Sequence, residues 1–129
     1  MTMDIFNAFV AARTIISNGE GTDGALTDDQ ITALDAEINT IITNWEKAIA
    51  ATVVHYINDS LADIDSNAPI NDLAKHWSEM KGFALGLQFN PRSPLSTEDF
   101  VKFHDLVGDA PVLPSATAEE IEAYKTDLV

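Results

Sequence analysis

The chain has no cysteine among its 129 residues, which excludes disulfides, thiolate metal ligands and cysteine nucleophiles. It leaves the compartment open. Basic residues are scarce too: seven Lys and Arg stand against twenty-one Asp and Glu, for a formal charge of −14. Such a charge repels phosphate backbones and anionic headgroups, so nucleic acid is not an expected partner, whereas a cationic ligand, a divalent metal or a basic protein patch would be drawn in. No apolar run approaches the roughly 20 residues that span a bilayer, and Met1 to Ser17 lacks a basic leader and a small-residue cleavage site. No transmembrane segment is therefore expected, and the chain reads as soluble as given. Hydrolase motifs of the H-E-x-x-H and G-x-S-x-G kinds are missing as well, so no catalytic residue is assigned.

What the chain does have is apolar spacing of helical period. The fold class expected is all-α, a helical bundle of about five helices with one long central helix. Its length suits a single helical domain over residues 1–129, with loops at 18–26 and 109–116. The first helix is expected from Asp4 to about Ser17, stopped by Asn18-Gly19. In the loop that follows, Gly19, Gly21 and Gly24 formally match a dinucleotide-binding fingerprint. No strand precedes them, and Glu20 and Asp23 would repel a pyrophosphate, so the match is accidental. The same acids hint at calcium, but an Asn18-started loop has no glycine at its sixth place and only Asp29 at its twelfth.

Thr27 with Gln30 is a capping box opening a second helix, and Leu34, Ile38, Ile42, Trp45, Ile49, Val53 and Ile57 carry its stripe without a break to about Asp63. Apolar residues from Ala48 to Ile57 lie on nearly all sides, which predicts neighbours on more than one face. A third helix is expected over Ile70 to Phe89, closed by the loop Asn90 to Pro94, which should be rigid. Ser96 with Asp99 starts a fourth helix ending at Gly108, and Thr117 with Glu120 starts a terminal one. Glu119 to Val129 still reads as helix without a stop, as a piece of a longer protein would.

The third helix carries the candidate site. Leu73, Trp77, Met80, Ala84 and Leu87 share one stripe, with His76 and Phe83 at its edge. Asp72, four residues before His76, and Glu79, three after it, project from the same side. Gly82 and Gly86 each cost a helix about 1 kcal/mol relative to alanine, which points to close approach by a neighbour, the alanine-lined face of the second helix that bears His55 and Asp59. If those faces meet, His76, Glu79, Asp72, His55 and Asp59 converge as candidate metal ligands for zinc, iron or calcium, or as a structural hydrogen-bond cluster. His55 read alone is a packed histidine bonded to Asp59 or a carbonyl, His104 a surface or core-edge residue, and Trp45, Tyr56 and Trp77 core side chains.

Three stretches, WEKAIAATVVHYIND, KHWSEMKGFALGLQFNP and DFVKFHDLVGDAPVL, make the chain resemble an uncharacterised family of bacterial lipoproteins related to imelysins. The resemblance covers most of Ile5 to Leu113. It implies a helical bundle exported to the periplasm or anchored at the outer membrane or cell surface, an iron-related role, and missing segments of the same protein as partners. The group was first described as peptidases with a His-x-x-Glu motif, which falls here on His76 and Glu79. Ala74 stands where the group usually has glycine. The function implied is a non-enzymatic domain that binds a metal or small ligand. A metal-dependent peptidase of imelysin type and a purely structural interaction domain are the alternatives.

Overall fold

Capping residues set most of the helix boundaries in the computed structural model, which describes residues 1–91, 93 and 95–129. Five α-helices follow one another: α1 (Thr2–Ser17), α2 (Asp28–Ser66), α3 (Ile70–Gly86), α4 (Thr97–Val107) and α5 (Ala118–Leu128). No strand occurs among the described residues, and α2, at 39 residues, is the long helix that the uninterrupted stripe predicts. Arg92 and Pro94, in the loop expected to be rigid, lie outside the described residues.

The caps form as their residue types dictate. Thr27 and Gln30 exchange backbone and side-chain bonds at the start of α2. Ser96 accepts from the Asp99 amide at the start of α4, and Thr117 and Glu120 complete a capping box on α5. Helix α2 runs to Ser66 and stops where Asn67 adopts φ 51°, a left-handed stop that asparagine tolerates. Helix α3 ends at Gly86, short of Phe89.

Two compact units divide the chain, residues 1–48 and 49–129, and both contribute to α2. In the first unit α1 buries Ala8 and Ala12. The link from α1 to α2 is tied down by Gln30, whose side chain donates to the Asn18 carbonyl and accepts from the Glu20 and Thr27 amides. A Cβ on Gly19 would overlap the Gly24 carbonyl, so glycine there serves a close backbone approach and not a phosphate. Trp45, expected in the core, is 56% exposed.

The second unit holds the main core. Val53, Met80, Ala84, Val107 and Leu128 are buried together, with Tyr56, Ile57, Leu61, Trp77, Phe103 and Tyr124 packed around them. Only one face of α2 is covered here, since Val54 is 55% exposed. Among the described residues, α3, α4 and α5 meet this core on the side of Val53, and no neighbour covers the face of Val54. At the C-terminus of α4, Trp77 Nε1 and the Tyr124 hydroxyl both donate to the Val107 carbonyl at 3.2 Å. The Lys81 ammonium bonds the Gly108 carbonyl. Three donors thus satisfy carbonyls that a helix end leaves free, and one of them brings the positive charge that this end favours.

Burial pushes the Tyr124 phenol up from 10.0 to about 12, against a smaller opposite effect of the neighbouring Trp77 N–H. A raised phenol pKa means that the fold favours the protonated form. Its contribution is complete below pH 10 and is lost as pH rises toward 12. Spectrophotometric titration is expected to show a phenolate step near pH 12 that shifts to about 10 in urea and vanishes in Tyr124→Phe. A folded chain without that step, or a step near 12 that survives in Tyr124→Phe, would contradict the burial.

The glycine expectation fails. A Cβ at Gly82 or Gly86 would meet nothing within 4 Å, so among the described residues no helix approaches that face of α3. The alanine face of α2 does not lie there; Ala51 and Ala62 are exposed. Gly82→Ala should therefore recover helix propensity unopposed and raise the unfolding free energy by about 0.5–1 kcal/mol. A lower urea midpoint for this variant would show a neighbour at that face.

Candidate functional site

His76 does find a carboxylate, though not one of those expected. Its Nδ1 lies 2.7 Å from Asp63 Oδ2, with side chains 23% and 15% exposed. Asp63 stands one turn before the end of α2 and His76 on the second turn of α3, so the turn through Asn67 and Pro69 brings them together. Seven residues before Asp63 is Tyr56, and seven after His76 is Phe83. That spacing is two turns and keeps each pair on one helix face. The Tyr56 ring stacks on His76 (centroids 6.1 Å, 29° between planes) and on Phe83 (5.8 Å, 15°).

The other predicted residues are placed apart or differently. His55 Nε2 lies 3.3 Å from Asp59 Oδ2, one turn along α2, with the histidine side chain 64% exposed; the bond expected forms, but the histidine is not packed. Asp72 is exposed in the first turn of α3, where a carboxylate favours the helix start. Glu79 is half-buried, and its Oε2 is shut from solvent without a hydrogen-bond partner among the described residues.

The five residues therefore do not converge. Each histidine holds its own aspartate, and among the described residues no group of three His, Asp or Glu side chains could hold a metal ion. The donor set does not fit a zinc, iron or calcium centre, each of which requires at least three protein ligands in one place. The physical reason is the open face of Gly82: without close approach there, α2 presents Asp63 and Tyr56 to His76, not His55 and Asp59.

Chemically, a carboxylate that accepts from Nδ1–H holds the imidazole in one orientation and leaves Nε2 as the free acceptor. That arrangement suits ligand binding or general-base work, and among the described residues Nε2 has no hydrogen-bond partner. The pocket beside Asp63, walled by Ile64, Leu73, Leu113 and Ile121, has about 80 Å³. It admits water, not a drug-sized ligand of ~300 Å³ or more. A ligand of His76 must therefore reach it from the side of Tyr56 and Phe83, where Phe83 is 43% exposed.

Sequence reasoning missed Asp63, taken as a helix-ending residue, Tyr56, taken as core, and the part of Phe83, placed only at the edge of the apolar stripe. The seven-residue spacing of the two pairs is the signal that could have found them. His104 lies at the core edge, as expected: half-buried, it packs against Phe100 at 4.4 Å and Phe103 at 5.4 Å, and neither buried ring nitrogen has a hydrogen-bond partner among the described residues. Burial, helped by Lys81 and opposed by Asp105, holds its pKa below 6.5.

No family model matches the chain, and no curated protein or solved structure is significantly similar to it.

Proposed function

We propose that this chain is a non-enzymatic helical binding domain, with its site on the α2–α3 face that carries Tyr56, Asp63, His76 and Phe83. The observation that carries the reading is His76, oriented through Nδ1 by Asp63 and free at Nε2 beside an exposed aromatic ring. The ligand class that suits it is a small aromatic cation. Its ring stacks on Phe83, its N–H donates to Nε2, and its charge meets a surface of net charge −14. The resemblance to imelysin-related lipoproteins supports an exported or surface-anchored setting and an iron-related role for the whole protein. Among the described residues, no helix is long and apolar enough to cross a membrane. The peptidase alternative lacks a grouped ligand set, and the interaction-domain alternative leaves the His76 geometry unused.

The test is a titration of the full, untagged chain with benzamidine, benzyl alcohol and Zn²⁺, followed by amide and histidine-ring NMR. Saturable benzamidine shifts at Tyr56, His76 and Phe83 are expected, reduced about tenfold in affinity by His76→Ala or Phe83→Ala and untouched by His55→Gln. Benzyl alcohol binding equally well would remove the charge argument. Stoichiometric Zn²⁺ binding at His76 would replace this reading with the metal-binding one.

A further inference from the structure

The first unit carries a groove of its own, about 360 Å³ in volume, between α1 and the N-terminal half of α2. Phe9 and Ile16 of α1 and Leu34, Ile38 and Ile41 of α2 line it, and the one charged side chain among its walls is Arg13. Helix α1 has just two charged residues. Asp4 is engaged by the terminal amino group at 2.8 Å, whereas the Arg13 side chain has no hydrogen bond or ion pair among the described residues. In a chain with three acids for every base, a guanidinium left without a carboxylate at an apolar groove is a free anion receptor.

We propose that this groove binds a medium-chain aliphatic carboxylate as a free monomer, its tail along Phe9, Ile16, Leu34, Ile38 and Ile41 and its carboxylate paired with the Arg13 guanidinium. The volume lies at the small end of ligand sites, which limits the tail. The span of the lining residues on α1, from Phe9 to Ser17, is roughly 12 Å. Charge decides between this occupant and the others. A second copy that met this groove with its own groove would bring Arg13 against apolar side chains and another Arg13, with no carboxylate among the walls to pair with either. An anionic membrane surface needs a basic polar face on the helix, which one arginine does not make, whereas a single carboxylate needs only the one guanidinium.

Calorimetric titration of the full chain with decanoate, decanol and decyltrimethylammonium, each below its micelle-forming concentration, tests the proposal. Decanoate is expected to bind one to one, about tenfold more tightly than decanol. Arg13→Gln should remove that advantage and leave decanol unchanged, and Arg13→Lys should keep part of it because charge remains without the planar fork. Arg13 is exposed, so neither variant disturbs the core. Equal affinity for acid and alcohol, tighter binding of the cation, or decanoate affinity indifferent to Arg13→Gln would overturn the assignment. So would a dimer in sedimentation velocity that dissociates on Ile38→Ser, which would show a second copy covering the groove.

Discussion

Replacing Met80 by alanine is expected to cost about 3 kcal/mol of unfolding free energy, the middle of the range for a buried methionine. Met80 is fully buried and belongs to one cluster with Val53, Val107 and Leu128, so the loss falls on α2, α3, α4 and α5 at once. Closing the cavity would require several helices to shift together, and packed helices do so only in part. Met80→Leu keeps the volume and should cost less than about 1.5 kcal/mol. Urea denaturation followed by circular dichroism measures both. A loss under 1 kcal/mol for the alanine variant would mean that the four helices do not share this side chain.

Trp77→Ala should rank with it, at about 3 kcal/mol, for a different reason. The ring is only half-buried, which limits the packing term. Its removal, however, also takes the donor from the Val107 carbonyl and the ring from beneath the Lys81 ammonium, 5.4 Å from its centroid. Trp77→Phe separates the two contributions. It keeps an aromatic body and loses the N–H, so a cost near 1 kcal/mol is expected. If phenylalanine proved as damaging as alanine, the bond at the end of α4 would outweigh the packing.

What the sequence made legible follows the range of the interactions. Caps are local, and Thr27 with Gln30, Ser96 with Asp99 and Thr117 with Glu120 all marked true helix starts. The stripe of Leu73, Met80, Ala84 and Leu87 was equally plain, because a helix face is a matter of period alone, and all four are buried. The site was not legible in the same way. Asp63 meets His76 only after the chain reverses at Asn67, and nothing in the spacing of thirteen residues announces such a bond. The glycines misled because an unfavourable residue was taken to imply a compensating contact. Gly82 has none, and its cost is borne by a helix whose other face is well packed.

The division of the chain at residues 48 and 49 falls inside α2, where no glycine or proline interrupts the ladder of backbone bonds. The amides just after the division therefore take their acceptors from carbonyls just before it. The amides of Ile49 to Thr52 are thus bonded as in the interior of any helix, and slow hydrogen exchange is expected at them although the division of the chain passes there.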